Sequence, residues 1–158
     1  MKKLYLLRHA NSSWFNPFIK DFDRPINKNG RKRLDNIFNY FSKNKIKIDL
    51  LLSSSAKRAI DTSEKILRCP NIKNLIQTDD LYKAHQSKIQ DLILSTDDSI
   101  DSLMIVGHNP GLNLFAYELF DLTKNIETCS FLEIDLNIDS WKDLSKSNAT
   151  LKKFYNPN

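Results

Sequence analysis

Residues 4–10 read Leu-Tyr-Leu-Leu-Arg-His-Ala, a short apolar run that ends in an arginine and a histidine. A second apolar run, residues 103–106, is followed by Gly-His-Asn-Pro at positions 107–110. Runs of this kind are typical of strands that are buried on both faces of a sheet. Two histidines at the carboxyl ends of two such strands can meet, and Arg8 adds a fixed positive charge beside His9. The pattern indicates a nucleophilic imidazole in an anion pocket, so phosphoryl transfer is the first hypothesis.

Strand-like and helical segments alternate along the chain. Further strand-like runs occupy residues 48–52 and 75–76, and between the runs apolar side chains recur at helical spacing over residues 34–41, 56–67 and 112–119. This alternation predicts an α/β fold, a three-layer α/β/α sandwich with a mainly parallel central sheet. Ligands of such folds bind beyond the carboxyl ends of the strands.

The carboxyl-terminal part of the chain follows a different pattern. Apolar and acidic residues alternate over 132–136, and residues 148–155 form another strand-like segment. We expect this pair to extend the sheet antiparallel at one edge. Because no repeat or linker divides the 158 residues, residues 1–158 are expected to form one domain.

Composition narrows the class of protein only modestly. The chain has 24 Lys and Arg against 19 Asp and Glu, a net charge of +5, which is compatible with an anionic partner or with solubility alone. The lysines are scattered without an aromatic stacking motif, which speaks against nucleic acid. Cys69 and Cys129 lack the spacing of a zinc or redox motif.

The apolar run before Arg8 has only four residues, too few for a signal peptide or a membrane span. We therefore expect a cytoplasmic protein without a membrane partner.

A serine-rich segment leads from the strand at residues 50–52 into the helix at 56–67. Arg58 falls about one turn into this helix, near its positive end, where a guanidinium and backbone donors can bind an anion together. The serines have the ordinary alternative of a helix N-cap. His108 likewise could be a capping or core histidine, although a second strand-end histidine and two arginines favour a site. Asn109 is a good N-cap, with Pro110 as the first helical residue.

The longest irregular segment is residues 11–29, which we interpret as an ordered loop over the site. Arg24 could reach over the pocket as a third arginine, and Ser12 and Asn16 are candidate substrate-binding side chains. Alternatively, residues 21–27, which include Arg24, form only a surface turn before a helix that Asn27 caps. His85, in a polar stretch at the start of another helix, is interpreted as a surface or capping residue.

Taken together, these motifs resemble the histidine phosphatase superfamily, also called phosphoglycerate-mutase-like. The resemblance rests on Leu-Arg-His-Ala at 7–10, the serine, arginine and threonine segment at 54–62, and Val-Gly-His-Asn-Pro-Gly at 106–111. It spans nearly the whole chain. Within the family, Ser12-Ser13-Trp14, Asp21-Phe22-Asp23-Arg24-Pro25 and Asp139-Ser140-Trp141 look most like phosphohistidine phosphatases of the SixA type.

The resemblance implies that His9 is the nucleophile and becomes phosphorylated, while Arg8, Arg58 and His108 hold the phosphoryl group. Arg24 matches the additional arginine of the SixA-like branch. A neutral imidazole attacks only if its other nitrogen is held by an acceptor, which we expect to be a backbone carbonyl. Water then hydrolyses the phosphohistidine. Neither a cofactor nor a metal is expected, and no carboxylate cluster is evident that would hold a metal.

One departure from the family pattern concerns the proton donor. Many larger members carry Glu or Asp after the third strand or directly after the second histidine, where this chain has Asp80-Leu81-Tyr82-Lys83 and Asn109. An alcohol leaving group needs such an acid. Imidazole, leaving from phosphohistidine, can depart neutral once its distal nitrogen is protonated. Asp21, Asp23 and Asp80 are either alternative donors or solvating loop charges.

The leading hypothesis is therefore a metal-independent phosphatase that removes the phosphoryl group from phosphohistidine on a protein, in a signalling or sugar-transport relay. One alternative is a phosphomonoesterase of the same fold that acts on small metabolites. A second is a module that binds phosphoproteins without turnover, although a binder needs no nucleophile.

Overall fold

The computed structural model describes residues 1–158, in which six strands alternate with four helices. The elements are β1 (Lys2–Arg8), α1 (Lys28–Lys43), β2 (Leu50–Ser54), α2 (Lys57–Leu67), β3 (Leu75–Thr78), α3 (Gln86–Leu94), β4 (Ser102–Gly107), α4 (Gly111–Phe120), β5 (Phe131–Leu136) and β6 (Ala149–Tyr155). Four short 3-10 turns lie between them, over Asp21–Asp23, Asp79–Leu81, Trp141–Asp143 and Lys146–Asn148.

All six strands belong to one sheet, in the order β3-β2-β4-β1-β5-β6. The first four strands along the chain pair in parallel, and β5 and β6 extend the sheet antiparallel from β1. The predicted α/β architecture with an antiparallel carboxyl-terminal edge is confirmed. β3 is the outer strand of the parallel part, and Ile76 is exposed there rather than buried on both faces.

Successive side chains of β1 point into two separate cores. Leu4 and Leu6 pack in a cluster of 19 buried residues that also holds the apolar faces of α3 and α4. Tyr5 and Leu7 pack in a second cluster of 17 buried residues with the apolar faces of α1 and α2. Because the period of a strand is two, one central strand contributes to both cores. The sheet is thus covered by helices on each side.

The register of the central pair, β1 and β4, determines where the two strand-end histidines lie. Arg8 is paired with Gly107, so the next residues, His9 and His108, leave the sheet side by side. The amide of His9 continues the ladder by donating to the carbonyl of Gly107 at 3.2 Å. Parallel pairing therefore brings together two residues that are 99 positions apart in the chain.

Two of the predicted helix starts differ in detail from the structure. Helix α4 begins at Gly111, so its N-cap is Pro110 and the predicted N-cap, Asn109, lies one residue earlier. The side-chain oxygen of Asn109 still accepts from the amide of Asn113 at 3.1 Å. No serine caps α2, whose N-cap residue is Ala56. The predicted cap of α1 is confirmed, since the side chain of Asn27 accepts from the amide of Gly30 at 2.8 Å. No helix has both the length and the apolar character that crossing a membrane requires.

Gly30, in the first turn of α1, lies directly against the loop that follows β1. An added Cβ would collide with the carbonyl oxygen of Asn11 and would lie 2.7 Å from Cγ2 of Ile26. At Gly107 the nearest atom to an added Cβ is Cδ2 of Leu112, at an ordinary 3.7 Å. An added Cβ at Gly111 would collide with the carbonyl oxygen of Ala84. Close packing therefore requires glycine at Gly30 and Gly111 but not at Gly107.

We predict that Gly30→Ala lowers the free energy of unfolding by about 1–3 kcal/mol, since relieving the collision forces backbone to shift. This reverses the usual gain of Ala over Gly within a helix. Gly107→Ala is the matched control and should change the free energy by less than about 1 kcal/mol. Urea unfolding of both variants measures this, and equal losses would contradict the packing account.

Candidate active site

The imidazole rings of His9 and His108 face each other at the carboxyl end of the sheet. Their centroids are 4.9 Å apart with an angle of 51° between the ring planes, and both side chains are buried. The two imidazoles that the sequence places at strand ends thus lie in one cleft.

The hydrogen bonds of His9 determine which ring nitrogen is free. Nδ1 lies 2.8 Å from the carbonyl oxygen of Ala10, which can only accept, so Nδ1 carries the proton in the neutral ring. Nε2 is then an acceptor, and Nε of Arg58 donates to it at 3.4 Å. Thr62 holds this turn, because its hydroxyl accepts from the amide of Ala10 at 2.9 Å and donates to the carbonyl of Arg58 at 2.7 Å. The lone pair of the neutral His9 ring is therefore on Nε2, beside Arg58 in the cleft.

His108 has the opposite tautomer. Its Nδ1 lies 3.4 Å from Nη2 of Arg58, and a guanidinium can only donate, so Nδ1 accepts. The proton of the neutral ring is then on Nε2, which donates to Oγ of Ser54 at 2.7 Å. Ser54 thus orients the second histidine instead of capping α2.

Both rings are neutral in the free protein. The pKa of His9 and the pKa of His108 are each lowered to about 3, chiefly because burial penalises the charged ring. The charge of Arg58 adds to this effect on both pKa values, while the hydrogen bond to Ala10 partly opposes it for His9. A neutral imidazole keeps the lone pair that a nucleophile needs.

The carboxylate of Asp21 is held among cationic side chains. Its oxygens lie 3.0 Å from Nε of Arg24 and 3.1 Å from Nη2 of Arg58, and Tyr82 donates its hydroxyl at 2.6 Å. Partial burial alone would raise the pKa of Asp21, but the Tyr82 hydrogen bond and the charge of Arg58 hold that pKa well below its usual range. Burial and the bond to Asp21 raise the pKa of Tyr82. Asp21 is therefore an ionised acceptor that orders two arginines.

Arg24 is buried at the mouth of the cleft. Its Nη1 donates to the hydroxyl of Ser12 at 2.6 Å, and its guanidinium lies 3.4 Å from the ring centroid of Trp14. The cation–π contact with Trp14 and the hydrogen bond to Ser12 hold the guanidinium of Arg24 in a fixed position. Arg24 and Ser12 thus both belong to the cleft.

Arg8 contributes a donor that has no protein acceptor. Its Nη1 donates to the carbonyl of Ile126 at 3.1 Å, whereas its Nε is buried without a partner. Asn109 donates to the same carbonyl at 2.8 Å. An unsatisfied buried donor costs about 1–3 kcal/mol, so an anion that reached Nε of Arg8 would recover that cost.

The cleft as a whole is suited to an anion. Its volume is about 480 Å³, and four cationic side chains line it against a single carboxylate, that of Asp21; the cationic residues are Arg8, Arg24, Arg58 and Lys83. Guanidinium groups bind phosphate oxygens through paired donors. The arrangement can hold a phosphoryl group within reach of Nε2 of His9.

The structure does not bring every candidate into the cleft. Asn16 is exposed and does not line the cleft; its side-chain oxygen accepts from the amide of Phe18 at 2.9 Å and closes a loop turn. Asp23 and Asp80 are exposed and do not line the cleft. His85 is also exposed and lies at the N-terminus of α3, where its Nδ1 meets Gln86.

Several contributors were not assigned roles from the sequence. Ser54 and Thr62 lie in the serine-rich segment, but the sequence does not say which hydroxyl meets a histidine. Tyr82 and Lys83 follow β3, at the place in the chain where larger relatives carry an acidic residue. That position is the signal by which the sequence could have indicated them as site residues. Asp21 was considered only as a proton donor or loop charge.

A family model agrees with this geometry. The model described as histidine phosphatase superfamily (branch 1) matches residues 4–97, more than half of the chain. An uncharacterized chloroplastic protein of Arabidopsis thaliana is 28% identical over 156 residues, which cover 90% of this chain and 70% of that protein.

Solved structures show the same fold over the full length. A SixA protein from Agrobacterium tumefaciens, for which phosphohistidine phosphatase activity has been proposed, superposes with a TM-score of 0.86 and 26% identity over 99% of this chain and 98% of that chain. The protein histidine phosphatase SixA complexed with tungstate superposes with a TM-score of 0.79 and 20% identity, over 96% of this chain and 95% of that chain. A mycobacterial glucosyl-3-phosphoglycerate phosphatase gives 0.74 and 12% over 100% of both chains. The last two likenesses concern the fold alone. The chain belongs to the histidine phosphatase superfamily, and it resembles the SixA-type members of that family.

Proposed function

We propose that residues 1–158 act as one domain that hydrolyses phosphohistidine on a protein, with a phosphorylated His9 as the enzyme intermediate. Membership of the superfamily supports the coarser statement, a phosphatase acting on a phosphorylated substrate. The names of the SixA relatives support the finer one, because they refer to phosphohistidine and to a protein histidine phosphatase.

The observation that carries the proposal is the pair of neutral, oppositely oriented imidazoles around Arg58. Nε2 of His9 has a lone pair toward the cleft, while Nδ1 is engaged by Ala10. In the first step Nε2 attacks phosphorus in line, the new N–P bond forms and the N–P bond of the substrate breaks. The electron pair of the broken bond stays on the leaving imidazole, whose distal nitrogen already carries a proton.

The cationic side chains neutralise the charge on the equatorial oxygens during this transfer. Arg58 donates to His9, Arg8 lines the same cleft with an unpaired Nε, and Arg24 adds a third guanidinium at the mouth. His108 becomes a further donor when the bound phosphoryl group raises the pKa of its ring. A SixA fold with tungstate, a tetrahedral oxyanion, is compatible with such a pocket.

The lack of an internal acid supports an N–P rather than an O–P substrate. Asp21, the only carboxylate that lines the cleft, is kept ionised by Tyr82 and two arginines, so it has no proton to donate. Transfer between two imidazole nitrogens needs no such proton, whereas an alkoxide leaving group does. Water then attacks the phosphorus of phosphorylated His9, inorganic phosphate leaves and Nε2 regains its lone pair.

We predict that His9→Asn abolishes covalent labelling by a radioactive phosphodonor and lowers turnover by roughly 10³-fold or more. Asn keeps a polar side chain of similar reach but has no nucleophilic ring nitrogen. Labelling is measured after a rapid quench that preserves the acid-labile N–P bond. His85→Asn, a change at an exposed histidine, is the control and should label normally; undiminished label in His9→Asn would exclude this nucleophile.

A comparison of leaving groups tests the substrate class. We predict that kcat/KM for phosphoimidazole exceeds that for an alkyl phosphate by at least about 100-fold, since acid catalysis contributes about 10²–10⁴ where it is needed. Steady-state release of inorganic phosphate measures both. A preference for the alkyl ester would favour the alternative of a small-metabolite phosphomonoesterase.

The lowered histidine pKa values also predict a pH dependence of stability. Histidines of the unfolded chain titrate near about 6.5, whereas the native pKa values are about 3. Between these values the unfolded chain binds more protons, so stability falls as pH falls. Most of the loss arises over the roughly 1.5 units between the unfolded pKa and pH 5. At 1.36 kcal/mol per unit, lowering the pH from 7 to 5 should cost on the order of 2 kcal/mol of stability per histidine.

Urea unfolding at both pH values measures this loss. His9→Asn should remove about half of it, and His85→Asn, at an exposed ring, should leave it unchanged. An equal loss in wild type and His9→Asn would show that the buried ring is not kept neutral.

A further inference from the structure

Large apolar side chains are exposed mainly in one short segment. Half of the eight exposed residues of this kind lie within six consecutive positions, here called the rim loop (residues 14–19). Phe15 is 95% exposed, Phe18 94%, Trp14 76% and Ile19 38%. Of the other four, Met1 and Ile76 lie singly, and Leu114 and Tyr117 form one i, i+3 pair on α4. A cluster of three aromatic rings in water is characteristic of a contact surface.

The rim loop holds these rings outward by its own hydrogen bonds. The hydroxyl of Ser13 accepts from the amide of Phe15 at 3.1 Å, and the side chain of Asn16 accepts from the amide of Phe18 at 2.9 Å. The amide of Ser13 donates to the carbonyl of Pro25 at 2.9 Å, which closes the base of the loop. An ordered loop presents its aromatic rings at little entropic cost on binding.

The rim loop is continuous with the cleft. Trp14 lines the cleft, and its ring stacks on the guanidinium of Arg24 at 3.4 Å. The neighbours of a residue whose phosphoryl group reaches His9 can therefore lie beside Trp14, where the rim loop begins. Phe15 and Phe18 do not line the cleft and have no contact with the histidines.

We propose that the rim loop is a docking surface for a polypeptide substrate with apolar side chains next to its phosphohistidine. This inference rests on the proposed function and specifies its substrate class. Two exposed phenylalanines can each bury on the order of 150 Å² or more, the kind of aromatic contact that dominates protein recognition. Free phosphohistidine or phosphoimidazole has nothing that reaches this surface.

The charge of the segment favours a polypeptide over a lipid surface. Apolar loops that enter a membrane interface are flanked by Lys and Arg. Residues 14–23 contain one lysine, Lys20, and two aspartates, Asp21 and Asp23. Because Asp21 is paired with Arg24 and Arg58, and Asp23 balances Lys20, the segment carries no excess positive charge that would attract anionic lipid.

The test compares two synthetic peptides of equal length with one central phosphohistidine, flanked by Leu and Phe in one and by Ser in the other. Phosphoimidazole is the small probe. For the wild type we expect kcat/KM to be at least about tenfold higher for the apolar peptide, mainly through KM. In the double variant Phe15→Ser, Phe18→Ser this ratio should fall to nearly one, with phosphoimidazole turnover changed by less than about twofold.

Tyr117→Ser, a change at an exposed aromatic residue of α4, is the matched control and should keep the wild-type ratio. A wild-type ratio of one, or an unchanged ratio in the double variant, would overturn the docking surface while phosphoimidazole turnover leaves the proposed function intact. Absence of turnover on all three probes would refute the proposed function, and the docking surface with it. Sedimentation with phosphatidylserine vesicles that requires Phe15 and Phe18 would also overturn the proposal.

Discussion

The guanidinium of Arg58 lies between two buried imidazoles, and the chemistry of the cleft depends on this contact. Its Nε donates to Nε2 of His9, and its Nη2 donates toward Nδ1 of His108, each at 3.4 Å. A permanently charged donor forces both ring nitrogens to be acceptors and adds to burial, the larger cause, in lowering the pKa of both rings. One cation therefore keeps the lone pair of the His9 ring on Nε2 and supplies a positive charge for an anion beside it.

The rest of the fold holds these groups in position. The parallel register of β1 and β4 brings the two histidines side by side, and α2 delivers Arg58 within its first turn. Thr62, one helical turn later, ties that helix to the amide of Ala10, whose carbonyl engages His9. Asp21 accepts from Arg58 and Arg24, and its negative charge offsets the repulsion between the two guanidinium groups. The sheet thus sets the spacing of the two histidines, and the loops orient the side chains and balance the charge of the arginines.

Periodicity was sufficient to predict the sheet and its helices, because apolar runs and helical spacing report directly on burial. Ends of parallel strands meet, so His9 and His108 could be paired from the sequence as well. The hydrogen-bond partners of Ser54 and Tyr82 could not, since they depend on rotamers and on loops packed from distant parts of the chain. The position of Asn16 outside the cleft is unpredictable for the same reason: in an irregular loop, one local turn decides whether a side chain faces the cleft or the solvent.

Nitrogen-15 NMR of labelled imidazoles measures the protonation of the His9 and His108 rings directly in the free protein. The chain has three histidines, so substitution of each assigns the spectrum. The account predicts that at pH 6 His9 is a neutral ring with its proton on Nδ1 and His108 a neutral ring with its proton on Nε2. A doubly protonated ring at either position, or a proton on Nε2 of His9, would contradict it.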